Sequence, residues 1–273
     1  MTVDTNQLMI VQACGRFPRE RVRVVYVPTP RRTTPELDDF IAAEWDRQLA
    51  LAQGTQRVLF NGEMLRYVSH AVHSTPVGET FEMIVGPTCY RDFVGTNLYG
   101  QRWLDRVGWE CFSNAVGTTA TILTSDGMIC YGRRSERVAF HAGHVHTFGG
   151  ALEMNDRAPD GSVDVFGSLQ RELREELGLT PEDVESLDCV GLIRDKEIHQ
   201  PELLFEARVR LTAAEVRMRW ETAEAKDEHA DVVTLEDRAE AIESFIKSCD
   251  LIAPVAVGAL LIHGQLKQSE SVG

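Results

Sequence analysis

The sequence predicts an α/β (α+β) protein, an α/β/α sandwich on a mixed sheet preceded by a smaller N-terminal α+β domain. Three observations carry this reading. Short strand-like runs recur along the 273 residues. Segments with apolar residues at three- and four-residue spacing are interleaved with them. No internal repeat, low-complexity stretch or long linker divides the chain, whose length allows one large domain or two modest ones. The boundary is placed at 114/115, giving an N-terminal domain at 1–114, a second domain at 115–268 and a disordered tail at 269–273.

Taken in order, residues 21–27 (RVRVVYV) alternate polar and apolar as a half-buried strand does, and Pro28 and Pro30 end it. Residues 35–53 carry Leu37, Phe40, Ile41, Trp45, Leu49 and Ala52 at helical spacing, with Thr34 as N-cap and Gly54 as terminator. Strand-like runs follow at 57–60 and 81–85. The runs 118–123 and 128–132, joined by the Asp126-Gly127 turn, read as a β-hairpin. A short strand at 145–148 leads into Gly149-Gly150, and a loop rich in Asn, Asp, Pro and Gly precedes a helix ending at Gly178. Further strands are expected around 189–194, 203–209 and 231–235, with helices at 213–220 and 236–247. The apolar segment 255–262 (VAVGALLI) suits a core helix or a dimer contact, with the core favoured.

Composition narrows the class. No apolar run reaches the ~18 residues of a membrane span, and residues 1–14 lack the basic-then-apolar pattern of a secretory signal. Cys14, Cys89, Cys111, Cys130, Cys189 and Cys249 are scattered singly, with no CxxC pair to suggest zinc. That usage fits reduced thiols acting as small core hydrophobes in a cytoplasm. A formal charge of −14 repels polyanions, which argues against nucleic acid and anionic lipid as partners.

The helix before Gly178 reads Arg171-Glu172-Leu173-Arg174-Glu175-Glu176-Leu177-Gly178-Leu179. Glu172 and Glu176 are one turn apart on one face, with Glu175 at its edge. Phe166, Leu169, Leu173 and Leu177 form a buried stripe on the other side. Gly178 supplies a left-handed cap, and Pro181 follows. The helix thus displays three mutually repelling carboxylates, an oxygen-rich cluster suited to a hard divalent ion that could bridge substrate phosphates. The plainer alternative is a solvated acidic face paired with Arg171. An acidic protein acting on phosphates needs such an ion, because its own field repels them.

The order Arg-Glu, aliphatic, any residue, Glu-Glu, any residue, Gly, aliphatic resembles the second half of the Nudix box. Gly149-Gly150 resembles its opening glycines, and Glu153 stands where the family often has an acidic residue. Asp156 occupies the usual spacing of the first box glutamate, after which seven residues are inserted. Counting back from Arg171 instead gives Val163, with Asp164 beside it, so Asp156 and Asp164 both stand as candidates. Outside the box, Leu59-Phe60-Asn61-Gly62, Thr88-Cys89-Tyr90-Arg91-Asp92-Phe93-Val94-Gly95-Thr96-Asn97 and Gly132-Arg133-Arg134-Ser135 resemble the animal and plant branch that hydrolyses UDP-glucose and UDP-galactose. The likeness spans residues 55–265, and long loops within the box also occur in that branch.

The resemblance implies Mg2+-dependent hydrolysis of a small nucleotide sugar to UMP and sugar 1-phosphate, with Mn2+ able to substitute. Glu172 and Glu176 would be the main metal ligands and catalytic carboxylates, with Glu175 third and a backbone carbonyl of Gly149 or Gly150 completing the set. Phe60 and Tyr90 would approach the substrate from the N-terminal domain, where a ring can stack on a base for about 1–3 kcal/mol or simply pack at the domain interface. Arg134, Ala139, His146, Ala151 and Glu153 fall at positions that line the family's nucleotide-sugar site. Arg134 can grip a phosphate bidentately. His146 replaces an acidic residue and Ala151 a polar one, so sugar or base preference would differ. A lone histidine such as His146 is more often a structural hydrogen-bonder. Arg91 and Asp92 read as a structural pair, and Glu202 as an extra base or ligand or as a strand-edge residue. The rival readings are a Nudix enzyme for ADP-ribose, NADH or coenzyme A, and a noncatalytic Nudix-fold sensor. Oligomeric state and the identity of the general base are left open.

Overall fold

A computed structural model describes residues 8–55, 59–76, 78–136, 138 and 140–272. In chain order, β1 (Met9–Pro18), β2 (Val22–Tyr26), α1 (Pro35–Thr55), β3 (Glu63–Thr75) and β4 (Gly78–Cys89) come first, followed by short helical turns over residues 90–111. Then come β5 (Gly117–Leu123), β6 (Met128–Arg134), β7 (Val145–His146), β8 (Phe148–Ala151), α2 (Val165–Leu177), β9 (Val184–Asp195) and β10 (Pro201–Val209). The chain ends with α3 (Ala213–Glu221), β11 (His229–Glu236), α4 (Ala239–Ser248) and α5 (Pro254–Val272).

Eight strands form a mixed sheet in the order β1-β9-β10-β5-β6-β11, with β7 paired to β6 and β8 to β5. Only β10 and β5 run parallel. Strand periodicity sorts β10 cleanly. Leu203, Phe205 and Ala207 face a core shared with Leu169, Leu173 and Leu177 of α2, while Leu204 faces the helices α4 and α5 on the other side. The result is a helix/sheet/helix sandwich. The segment 255–262 proves to be core, with Ala256 and Leu260 fully buried.

A second sheet, β2-β4-β3, packs Val24, Leu65, Phe81 and Val85 into the same core as α2. It also holds the residues inserted between the glycine pair and α2. Tyr26 N–H donates to Gly161 O at 2.8 Å, and Val163 N–H to Val24 O at 3.0 Å. The insertion is therefore bound to β2 instead of hanging free.

Several expectations need correction. Leu59 and Phe60 have irregular backbone where a strand over 57–60 was expected, and residues 57 and 58 lie outside the described residues. The strand in this region starts at Glu63. Residues 145–148 split at Thr147 into two strands with different partners, β6 and β5. The helix expected from 236 starts at Ala239 because β11 runs through Glu236. The supposed disordered tail continues α5 through Val272, and residue 273 lies outside the described residues. β1, from the N-terminal part of the chain, pairs with β9 in the large sheet. All six cysteines are free, three of them buried. Among the described residues no helix is long and apolar enough to cross a membrane.

On the α5 face, buried His263 donates from Nδ1 to Glu206 and from Nε2 to Asp237, each at 2.8 Å. Arg16 and Lys267 hold the two carboxylates from outside. Both ring nitrogens face acceptors, so the imidazolium is the favoured form. Despite its burial, these bonds and charges push its pKa up to about 9. The raised value makes this contribution fully present below the ordinary histidine pKa of about 6.5 and lost as pH climbs through about 9. Urea unfolding at pH 6 and pH 9.5 should show the wild type losing on the order of 3 kcal/mol over that interval, and a His263→Gln variant losing far less.

Candidate active site

The acidic helix α2 is capped by Asp164, whose side chain accepts from Gly167 N–H at 2.9 Å, and ends at Gly178 with φ 66°. Its amphipathic pattern buries Leu169, Leu173 and Leu177 and turns Glu172 and Glu176 toward β8. Glu176 is only 2% exposed. One carboxylate oxygen accepts from Gly149 N–H at 2.8 Å, and the other lies 3.4 Å from Nε2 of buried His229. A buried charge is tolerated only with such donors.

The glycine pair makes this approach sterically possible. A Cβ at Gly150 would stand 2.6–2.8 Å from the carboxyl atoms of Glu172, and one at Gly149 would stand 2.0 Å from Thr118 O. Gly149 also has φ +147°, which favours glycine. Among the described residues Glu172 has one donor, Arg171 at 3.4 Å. Burial, and then the charge of Glu176, pushes its pKa up to about 7. Glu175 is at the flank, beside Arg174 at 3.6 Å.

Beside the pair lies a cleft of about 270 Å³. Tyr90, Phe93, Phe140 and Ile198 make it apolar on one side. Thr118, Thr119, Gly149, Gly150, Arg134 and Glu228 line it as well, together with His146, Gln200 and Glu202. The Arg134 guanidinium has no hydrogen bond or ion pair among the described residues, and its Nε is buried without a partner. His146 donates from Nδ1 to Thr147 O at 2.9 Å, which leaves Nε2 bare; burial and Arg134 push its pKa down to about 3, so the ring is neutral. Burial and the charge of Asp195 push Glu202 up to about 8, against the pull of Arg134. Burial and Glu176 raise Glu228.

The structure thus brings Tyr90, Arg134, His146 and Gly150 to one cleft, next to Glu172 and Glu176. Other sequence candidates are not among the residues that line it. Phe60 is 72% exposed and is not part of the cleft lining. Ala151 packs in the apolar cluster with Tyr90 and Phe140. Glu153 is exposed at the start of the turn Met154–Asp156. Ala139 lies outside the described residues. Asp156 accepts from Arg171 at 2.6 Å, Ser168 at 3.0 Å and Glu153 N–H at 2.9 Å, while Asp164 caps α2 and pairs with Arg19 at 3.0 Å. Both acidic residues are committed to fastening the loop to the helix. Asp92 pairs with Arg91 at 3.3 Å and more closely with buried Arg31 at 2.7 Å.

Among the described residues no three His, Cys, Asp or Glu side chains are gathered as a ready metal cage. The donor set beside the cleft is a carboxylate pair and strand backbone, all oxygen, which fits a hard ion that keeps several waters. Sequence reasoning missed Glu228 and His229. They precede or open β11, more than fifty residues after α2, and nothing in the local sequence marks them.

No family model matches the chain. It is 26% identical over 241 residues to human uridine diphosphate glucose pyrophosphatase NUDT22, covering 79% of this chain and 78% of that protein. It is 27% identical over 248 residues to Arabidopsis thaliana Nudix hydrolase 9, covering 80% and 78%. The bovine NUDT22 match, at 25% identity, covers 94% and 96%. Among solved structures, DR0079 from Deinococcus radiodurans overlaps 54% of this chain and 81% of its own at TM-score 0.41 and 14% identity. The Nudix domain of Shewanella oneidensis NrtR, complexed with ADP ribose, overlaps 62% and 96% at TM-score 0.39 and 12% identity. By these matches with curated proteins the chain is similar to enzymes of the Nudix pyrophosphohydrolase class. Within that class it resembles the UDP-sugar pyrophosphatase branch.

Gly149→Ala should lower stability by about 2 kcal/mol or more, since both the backbone conformation and the space are wrong for a side chain. Chemical denaturation will measure this, and a variant as stable as wild type would show that β8 can move away from β5.

Proposed function

We propose that this chain hydrolyses the pyrophosphate bond of a nucleotide sugar in a Mg2+-dependent reaction, UDP-glucose or UDP-galactose giving UMP and sugar 1-phosphate. One observation carries the reading: a carboxylate pair packs against the glycine strand that lines a cleft, and the same cleft is lined by an arginine with no hydrogen bond or ion pair among the described residues. The similarity to human NUDT22, named for UDP-glucose, supports the uridine sugar.

Glu172 and Glu176, with a Gly149 or Gly150 carbonyl and with Glu175 at the flank, would hold the ion. Bound there, a divalent cation neutralises the crowded carboxylates and lowers the pKa of a water. Arg134 takes the charge that grows on the phosphoryl oxygens as water adds to one phosphorus and the bridging oxygen departs with the other. Gly149 N–H and His229 hold Glu176 in one orientation. The apolar side, with Tyr90, receives the base. His146, neutral and fixed by Thr147, offers an acceptor instead of a charge.

Glu176→Gln keeps an acceptor for Gly149 N–H, so it should fold normally yet lose at least about 100-fold in magnesium-dependent turnover of UDP-glucose. Undiminished activity would eliminate the assignment, and faster turnover of ADP-ribose than of UDP-glucose would move the substrate elsewhere within the class. His229→Phe keeps the ring but removes the donor. It should raise the Mg2+ concentration for half-maximal activity about 10-fold, with His229→Gln intermediate. An unchanged metal requirement in His229→Phe would make that histidine a packing residue only.

A further inference from the structure

The segment leading into β10 presents alternate residues to the cleft, namely Ile198, Gln200 and Glu202. Ile198 belongs to the apolar cluster with Phe93, Tyr90 and Phe140. Glu202 stands at the other end of the segment, opposite Gly117. Gly117 pairs on its other side with Ala151 of that apolar cluster, and the next rung pairs Thr118 with Gly150, against which Glu172 rests. The register thus sets Glu202 between the aromatic end and the carboxylate helix, in a cleft that Gln200 and Arg134 also line.

Glu202 is built into that middle position. It lies directly opposite Gly117 in the parallel β10-β5 ladder, and a Cβ on Gly117 would fall 1.9 Å from its carboxyl oxygen. The side chain therefore lies flat across β5, in space that only a glycine leaves open. Among the described residues its carboxyl has no hydrogen-bond donor, which leaves it open to a ligand's hydroxyl.

A nucleoside diphosphate has a fixed order of parts: base, ribose, phosphates. With the base against the aromatic end and the phosphates at Arg134, the ribose falls beside Glu202. A carboxyl can accept from both vicinal hydroxyls of a ribose. We propose that Glu202 reads the ribose 2′- and 3′-hydroxyls and so selects ribonucleotide over 2′-deoxyribonucleotide substrates. This rests on the nucleotide-sugar reading of the cleft but does not require the sugar or the base to be the ones named above.

The test measures binding by calorimetry for UDP, ADP and GDP against their 2′-deoxy forms, in Mg2+, for wild type, Glu202→Gln and Glu202→Ala. For whichever base binds, wild type should prefer the ribonucleotide by about 3- to 10-fold, the worth of a hydroxyl bound to an uncharged carboxyl. The preference should shrink in Glu202→Gln and fall to about 2-fold or less in Glu202→Ala. A preference for ADP over UDP would overturn the uridine reading while leaving the ribose assignment to be judged by its own ratio. Equal wild-type affinities for ribo and deoxy forms, or an undiminished preference in Glu202→Ala, would overturn the assignment. Failure to bind any of the six nucleotides would bring down both readings. Should Glu202→Ala melt early, Glu202→Gln, which conserves volume, decides by the same ratio.

Discussion

The hydrogen bond from Gly149 N–H to Glu176 joins the sheet to the acidic helix, and the rest of the site depends on it. Glu176 sits in the interior at 2% exposure, in a protein whose net charge is −14. An uncompensated carboxylate there would cost several kcal/mol. The bond offsets that cost only because β8 comes within 2.8 Å of α2, and β8 comes that close only because residues 149 and 150 lack side chains. Any side chain at 150 would push out Glu172 as well. The glycine pair thus sets the distance between helix and strand, and that distance decides whether two carboxylates can share one small volume.

The N-terminal part of the chain fixes the other wall. Leu65 N–H donates to Leu152 O, Leu152 N–H to Val116 O and Val116 N–H to Leu65 O, all at 2.8–2.9 Å, so the small sheet, the glycine strand and the start of β5 are laced together. Tyr90 follows directly on β4, and its N–H is held by Gly62 O at 2.9 Å. The residues inserted before α2 close the remaining gap by pairing with β2. An insertion that looks like damage to a sequence motif is, in three dimensions, the strap between two sheets.

What could be read in the sequence was local and periodic. The stripe of α2, its Gly178 cap, the Asp126-Gly127 hairpin and the run of β10 all announce themselves within a dozen residues, and so does the Glu172/Glu176 pair. β1 and β3 were hidden because neither alternates cleanly: β1 is broken by register shifts, and β3 carries Arg66 and two histidines. Spacing alone also misled at Asp156. It occupies the position expected of a ligand, yet Arg171 and Ser168, each a turn or more along α2, consume its oxygens. His229 and Glu228 owe their place beside Glu176 entirely to the β6-β11 pairing, a contact across a hundred residues that no local pattern encodes.

Donors are distributed unevenly over the carboxylates in and around the core, and the unevenness singles out one place. Asp156 has Arg171 and Ser168; Asp195 has the N–H groups of residues 197 and 198; Glu206 has His263 and Arg16; Glu176 has Gly149 and His229. Glu172, Glu202 and Glu228 break the rule, the first with one long contact and the other two with no donor among the described residues, and burial holds all three above the usual carboxylate range. These three stand at the cleft or against its glycine strand, with an arginine that is itself unmatched among the described residues. Folding alone gains nothing from leaving three acids and a base unsatisfied in one place. On the proposed reading the groups that complete them come with the ligand: positive charge for the helix pair, negative charge for Arg134, and hydroxyl donors for Glu202. A metal-bound phosphate ester of a polyhydroxylated ring carries all three.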